Sequence, residues 1–296
     1  MIKIYNFKKL DAFTDGTSSG NPAGCIELDV AISHEDMLQI AKELKGFVSE
    51  VGYVKRDGEI FTLKYYSSER EVEFCGHATI AIMYDQIRND EKLCKKEEVF
   101  INVNAGKLSV FNRINEEDAV YIMAPEAKYL ECCIKKDDVA RALKTDVENI
   151  ADDLPIDVID GGLKTLIIPI NSIDKCISIN PDLDELNDFC VKNSIDIIHI
   201  HTKETSSAMA SYRTRVFAPT FGYIEDPATG SGNAAFGYYL LKNKLWKSDI
   251  TIEQGPSMKN PNYIKLRKCD KDGTTHILFG GSAVKRIEGV YYLSKG

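Results

Sequence analysis

The chain has 296 residues, of which 44% are hydrophobic and 28% charged, a composition typical of a soluble globular protein. Its net charge of −8 disfavours a nucleic-acid-binding role, because phosphate binding needs a basic surface. No apolar stretch approaches the roughly 18 residues of a membrane span. The eight cysteines form no C-x-x-C pair. The sequence therefore predicts a cytoplasmic protein with reduced thiols, and neither nucleic acid nor a membrane as its partner.

The first half of the chain alternates between helical and strand patterns. The N-terminus has strand-like alternation without the long apolar run of a signal peptide. Ser33 and Asp36 then form a capping-box pattern ahead of an apolar helical repeat. Hydrophobic periodicity predicts the following order of elements: a helix over 33–46, strands over 48–55 and 59–66, a helix over 77–88 and a strand over 98–104.

The second half repeats this order. The same patterns predict a helix over 181–192, strands over 195–201 and 212–218, a helix over 231–242 and a strand over 249–253. The alternative is that helices and strands simply alternate, as they do in many mixed proteins. We predict an α/β (α+β) fold with two pseudo-symmetric lobes, residues 1–118 and 119–284. The β-like C-terminal run could finish either lobe, so 285–296 is a possible last piece of the first.

Each half carries a Gly-containing loop between a strand and a helix, at 73–79 and at 225–233. Such loops leave backbone N–H groups free at a helix N-terminus, where they can bind an anion. We therefore predict that the two loops bind substrate together across one cleft. The predicted substrate-binding residues are Gly76, Gly230, Ser231 and Gly232.

Three titratable residues are the candidates for catalysis. Glu50 lies in an otherwise apolar strand pattern, where burial would raise its pKa and suit it to acid/base work. His77 starts a predicted helix, whose dipole favours a neutral imidazole. Asp226 lies in the second Gly loop. Each has a structural alternative: a solvent-facing strand residue for Glu50, a structural histidine for His77, and a turn or N-cap residue for Asp226.

Two other patterns suggest cofactors only weakly. His199 and His201 share one face of a strand but have no third metal ligand nearby in the sequence. The run from Gly230 to Ala235 fits G-x-G-x-x-A, and Glu253 follows at the spacing of a ribose-binding acid. A buried parallel strand does not lead directly into that run, as the dinucleotide fingerprint requires. We therefore predict no metal and no cofactor.

The motifs taken together resemble the PhzF-like phenazine-biosynthesis family, which shares the diaminopimelate epimerase fold. The resemblance spans nearly the whole chain in the family's order. Its motifs are Asp11-Ala12-Phe13-Thr14, Gly20-Asn21-Pro22-Ala23-Gly24, Ser49-Glu50, Cys75-Gly76-His77-Ala78-Thr79, Asp226-Pro227-Ala228-Thr229-Gly230-Ser231 and Glu253-Gln254-Gly255.

This resemblance implies two lobes, each a β-sheet wrapped around a central helix, with the active site in the cleft between them. It implies a cofactor-independent isomerase that moves a proton within a small carboxylate-bearing metabolite. Glu50 falls on the family's acid/base position, and His77 and Asp226 fall on its substrate-polarising positions. Members of the family are commonly homodimers.

Cys75 leaves two other functions open. Diaminopimelate epimerase works with a cysteine in each Gly loop, whereas Thr229 stands at the second position here. A threonine hydroxyl is too weak an acid and base for that role, which favours the Glu50 mechanism. The alternatives are an amino-acid-type racemase or epimerase that uses Cys75, and a non-catalytic metabolite-binding protein.

Overall fold

The computed structural model describes residues 2–294 and divides them into two compact units. The first unit contains residues 2–123 and 280–294, and the second contains residues 124–279. The C-terminal strand thus belongs to the first unit, a point that the sequence left open.

The first unit is built mainly from strands, with two helices of ten residues or more. Its helices are α1 (His34–Glu43), α2 (Gly76–Arg88), α3 (Glu91–Cys94) and α4 (Ile114–Glu117). Its first eight strands are β1 (Ile2–Ala12), β2 (Asn21–Glu27), β3 (Glu50–Asp57), β4 (Ile60–Tyr66), β5 (Glu71–Val72), β6 (Glu98–Val103), β7 (Gly106–Arg113) and β8 (Ala119–Met123).

The second unit has the same mixture of elements. Its helices are α5 (Lys136–Ala142), α6 (Ile173–Ser178), α7 (Leu183–Asn193) and α8 (Gly230–Lys242), with single 3₁₀ turns at Val147–Asn149 and Pro219–Phe221. Its strands are β9 (Lys128–Leu130), β10 (Asp157–Asp160), β11 (Lys164–Pro169), β12 (Ile197–Thr202), β13 (Tyr212–Phe217), β14 (Glu225–Asp226), β15 (Ile250–Gln254), β16 (Asn262–Lys271) and β17 (Thr274–Gly281). The last strand of the chain, β18 (Ala283–Ser294), pairs with β1.

Strand pairing shows that the two units repeat one topology. In the first unit β2 pairs parallel with β3, β3 antiparallel with β4, β4 parallel with β6, and β6 antiparallel with β7. In the second unit β11, β12, β13, β15 and β16 pair in the same sequence of directions. A short strand, β5 or β14, precedes the main helix in each unit. The predicted α/β fold with two pseudo-symmetric halves is confirmed.

Each sheet wraps around one central helix. Helix α2 packs on β1, β2, β3, β8 and β18, and α8 packs mainly on β10, β11, β12 and β16, so both helices are buried on most of their faces. Glycines permit this close approach. A Cβ on Gly52 in β3 would lie 2.3 Å from Ile82 of α2, and one on Gly237 of α8 would lie 3.1 Å from Ile277. These glycines therefore let each central helix lie close to the strands around it.

Helix α1 begins as its sequence predicts, since the Ser33 side chain accepts a hydrogen bond from the Asp36 backbone N–H. Every helix within the described residues 2–294 is too short or too polar to span a bilayer.

Candidate active site

The first strand residue of β3 and the first turn of α2 bring three functional groups together. Glu50 begins β3, where it pairs with Ala23 of the parallel strand β2. Cys75 is the N-cap residue of α2, and His77 lies in that helix's first turn. Because β3 packs against α2, the side chains of Glu50, Cys75 and His77 meet.

The three side chains are in direct contact. His77 Nε2 lies 3.2 Å from Glu50 Oε2, and the Cys75 thiol donates to the same carboxylate oxygen at 3.8 Å. Cys75 Sγ also lies 3.5 Å from His77 Nδ1. The Glu50 side chain is 23% exposed and that of His77 13%. Solvent or a small ligand can therefore reach a cluster that is otherwise enclosed by protein.

The charges of this cluster differ from those expected from the sequence. Burial raises the pKa of Glu50, but the hydrogen bond and charge of His77 outweigh burial and hold it below the usual value. Burial lowers the pKa of His77, yet Cys75 and Glu50 together raise it well above the usual value. The expectations of a raised Glu50 pKa and a neutral His77 were wrong, because the two residues pair with each other. Burial raises the pKa of Cys75, which favours its thiol form.

The start of α2 has the backbone features of an anion site. No side chain caps the helix at Cys75, so the first-turn N–H groups, including that of Gly76, are left to other acceptors. Gly76 is half-buried and follows directly on the thiol residue. The predicted binding role of Gly76 agrees with this local geometry and stays a prediction.

In the second unit, a buried amide network holds the loop that carries Asp226. The Thr229 hydroxyl donates to Asp226 Oδ2 at 2.5 Å. Gln254, in β15, donates through Nε2 to the Asp226 carbonyl oxygen at 2.8 Å and to Thr229 Oγ1 at 3.1 Å. Its Oε1 accepts from the Thr229 backbone N–H at 3.1 Å and from Asn233 Nδ2 at 2.7 Å. One fully buried side chain therefore fixes both Asp226 and the residue before α8.

The Gly-Ser-Gly run forms the first turn of α8. Thr229 is the N-cap residue and makes no side-chain cap bond, as at the start of α2. Gly230 and Gly232 are buried and Ser231 is half-buried. A Cβ on Gly232 would lie 3.2 Å from Ile197, so this glycine also serves the packing of α8 on β12. The substrate-binding role of the three residues stays a prediction.

His199 and His201 are core residues. Both are essentially fully buried, and Phe236 of α8 stacks on the His199 ring at 4.8 Å between centroids. Asn233 uses its amide nitrogen for other partners, so its Oδ1 accepts from His199 Nε2 at 3.1 Å. Burial lowers the pKa of His199 to about 4 and that of His201 well below its usual value. The two rings fill the core beneath α8.

Both carboxylate oxygens of Glu253 have hydrogen-bond partners within the protein. Its carboxylate pairs with the fully buried Arg213 at 3.2 Å and accepts from the backbone N–H groups of Ser206 and Ser207. A carboxylate held this way is not available to a ribose, which removes the residue that a dinucleotide site would need.

Sequence reasoning missed two features of these sites. It named Cys75 but did not foresee that the thiol touches both Glu50 and His77. It named Gln254 within a family motif but gave it no role. A buried-strand glutamine is a usable signal, because a buried amide needs four hydrogen-bond partners. The contact of Cys75 with Glu50 joins residues 25 apart in the chain and leaves no local signal.

Two pseudo-symmetric units, each a sheet around a central helix, define a protein of the diaminopimelate epimerase-like fold class. A solved hydroxyproline epimerase from Agrobacterium vitis has this fold. It superposes with a TM-score of 0.58 over 99% of this chain and 93% of its own, at 10% identity.

The family is narrower than the fold. The model of the phenazine biosynthesis-like protein family, PhzC-PhzF, matches residues 10–289, and the chain belongs to this family. The crystal structure of a PhzF-family phenazine biosynthesis protein from Bacillus anthracis superposes with a TM-score of 0.87. It covers 98% of this chain and 99% of its own, at 24% identity.

Several relatives in sequence are named as isomerases. An uncharacterised isomerase of Clostridium acetobutylicum is 28% identical over 96% of this chain and 97% of its own length. The uncharacterised isomerase YfhB of Bacillus subtilis is 29% identical over 93% of this chain and 94% of its own.

Proposed function

We propose that the protein is a cofactor-independent isomerase that moves a proton within a small carboxylate-bearing metabolite, with Glu50 as the acid/base. One observation carries the proposal: Glu50 Oε2 lies 3.2 Å from His77 Nε2 at the uncapped start of the central helix. Membership of a family in which several relatives are named as isomerases supports the reaction class.

The chemistry follows from the groups present. Glu50 takes a proton from an activated C–H bond and returns it to another carbon on the same face of the substrate. His77, beside it, hydrogen-bonds the substrate and balances the charge of the carboxylate. The N–H groups of the first turn of α2 bind the substrate's own carboxylate, to which the helix dipole contributes roughly 0.3–1 kcal/mol.

Asp226 and the start of α8 supply the second set of groups in the proposal. Asp226 holds a polar substituent of the substrate, and the N–H groups of Gly230, Ser231 and Gly232 bind a further anionic or carbonyl oxygen. The support is local: Gln254 and Thr229 both hydrogen-bond Asp226, and no side chain caps the helix at Thr229. Positioning by hydrogen bonds of this kind favours catalysis, because it reduces the entropy lost on reaching the transition state.

The decisive experiment follows deuterium from D2O into members of a library of small carboxylates. Wild type should label one carbon of its substrate. Glu50→Gln keeps the shape of the side chain but removes the proton acceptor, and should lower the rate by about 100- to 10,000-fold. Glu59→Gln, at an exposed carboxylate paired with Lys96, is the matched control and should label normally. Turnover of Glu50→Gln within about threefold of wild type would exclude Glu50 as the acid/base.

A second candidate is an epimerase that uses Cys75, favoured by the 3.8 Å contact of its thiol with Glu50. The product distinguishes the two reactions, since an epimerase inverts the labelled carbon whereas the proposed isomerase moves the proton to another carbon. Binding of a carboxylate without any exchange would instead indicate a metabolite-binding protein. Because the sequence resembles this family, we also propose that the protein is a cytoplasmic homodimer. Sedimentation of the purified protein would test whether it is a dimer.

A further inference from the structure

Glu50, Cys75 and His77 also have the composition of a transition-metal site. Their ligand atoms all lie within 4.8 Å of one another. Thiolate, imidazole and carboxylate are the three protein ligands that Zn²⁺ takes, and a catalytic-type zinc site has three of them with one position open. The contact among the three was not foreseen from the sequence, and the proposed isomerase does not require a metal.

The distances within the set lie within about 0.3 Å of those between the ligands of one tetrahedral ion. Zinc bond lengths of about 2.3 Å to sulfur and 2.0–2.2 Å to nitrogen and oxygen place the ligand atoms about 3.3–3.6 Å apart. In the structure, Cys75 Sγ lies 3.8 Å from Glu50 Oε2 and 3.9 Å from His77 Nε2. His77 Nε2 lies 3.2 Å from Glu50 Oε2. Cys75 Sγ lies nearer to His77 Nδ1, at 3.5 Å, so the imidazole ring has to rotate for Nε2 and the sulfur to bind one ion.

The surroundings favour metal binding as well. Cys75 stands at the N-terminus of α2, where the helix dipole opposes the burial that favours its thiol form, and its side chain makes no cap bond. The partly exposed Glu50 and His77 leave a path for the ion and room for a fourth ligand, such as water. On binding, the thiol and any protonated imidazole would lose their protons to the buffer.

We propose that Glu50, Cys75 and His77 bind a thiophilic divalent cation such as Zn²⁺, which blocks the proton-transfer site. The proposal that the site binds an ion does not depend on the proposed function. Only the proposal that the ion blocks proton transfer rests on it. An ion on Glu50 occupies the oxygen that would accept the proton, so metal and catalysis exclude each other. The site would make the enzyme sensitive to free zinc.

The test uses Co²⁺, which has visible absorption bands when tetrahedral and a near-ultraviolet band when bound by a thiolate. Full-length protein, reduced and freed of metal with a chelator, is titrated with Co²⁺ without oxygen. Wild type should bind one Co²⁺ with both sets of bands, and Zn²⁺ should displace it. Cys75→Ser should abolish the thiolate band, and Glu50→Gln should weaken binding at least about 100-fold, more than the loss of an outer partner of a ligand costs. These readouts require no turnover.

Controls separate this site from the other thiols. Cys94→Ser removes a half-buried thiol of the same unit, and Cys133→Ser breaks the adjacent pair Cys132-Cys133. Both variants should retain wild-type spectra, and their circular dichroism, with that of Cys75→Ser, should show that all are folded. A thiolate band that survives in Cys75→Ser, or is lost in Cys133→Ser, would overturn the proposal. If Co²⁺ binds but does not inhibit proton transfer, only the proposal that the ion blocks catalysis would be wrong.

Discussion

Gln254 donates to the Thr229 hydroxyl at 3.1 Å while its own carbonyl accepts from the Thr229 backbone N–H at 3.1 Å. This two-way bond ties the last residue of β15 to the N-cap of α8. Thr229 in turn donates to Asp226. The position of the Asp226 carboxylate therefore depends on an amide that lies outside the second Gly loop.

Gln254→Met should destabilise the protein, because it keeps the side chain's size but leaves Thr229 N–H and Asn233 Nδ2 without their buried acceptor. The expected loss is about 1–3 kcal/mol for each unsatisfied group, measured as the free energy of unfolding in urea. Gln39→Met, in the exposed surface of α1, is the control and should stay within about 0.5 kcal/mol of wild type. Equal stability of the two variants would show that the network adds nothing.

Asp226→Asn should impair catalysis more than folding. The asparagine keeps the shape but loses the negative charge. That charged carboxylate accepts a hydrogen bond from the Thr229 hydroxyl and, in our proposal, another from the substrate. A hydrogen bond to a charged group contributes about 1.5–3 kcal/mol, so kcat/KM should fall about 10- to 150-fold. The exposed Asp188→Asn in α7 controls for the loss of one carboxylate. An unchanged kcat/KM for Asp226→Asn would remove this residue from the site.

Cys75→Ala should keep substantial isomerase activity, at least about a tenth of wild type, because the proposed proton transfer needs the carboxylate and not the thiol. The rate of deuterium exchange measures this. Cys25→Ala, at another buried thiol of the first unit, controls for the cavity that the lost sulfur leaves. Near-complete inactivation of Cys75→Ala with substrate binding intact would favour the epimerase.

The buried His199 should make stability fall in acid. Its pKa is lowered from 6.5 to about 4 by burial, so the unfolded chain binds this proton first as the pH falls. The contribution of His199 to the free energy of unfolding is therefore fully present above pH 6.5. It decreases as the pH falls from 6.5 to 4, by up to about 3 kcal/mol near pH 4. The free energy of unfolding, measured in urea at several pH values, should change less steeply with pH for His199→Gln than for wild type.

The matched control is His34→Gln, which removes an exposed histidine in α1 and leaves the core beneath α8 intact. Its slope between pH 6.5 and 4 should match that of wild type. Identical slopes for His199→Gln and wild type would mean that the ring takes up its proton in the folded state as readily as in the unfolded chain.

The sequence by itself determined the order of the main elements from α1 to β6 and from α7 to β15, and with it the repeat. Periodicity located α2 and α8 to within a residue at their starts, because each helix is marked by a Gly loop and a long apolar run. It placed Glu50 inside a strand over 48–55, whereas the strand in the structure, β3, begins at Glu50. It did not reveal the two-residue strands β5 and β14, since a pair of residues carries no periodicity.

Only the tertiary structure decided the charges of the candidate site. A strand pattern indicates burial for Glu50 and hence a raised pKa, whereas the fold places His77 3.2 Å away and reverses the direction. Likewise, only the fold brings Cys75 to both of them and gives Gln254 its partners around Asp226. The reason is physical: periodicity records how a residue faces its own element, while a pKa depends on the nearest groups in space, and here strand pairing and helix packing bring those groups from distant parts of the chain.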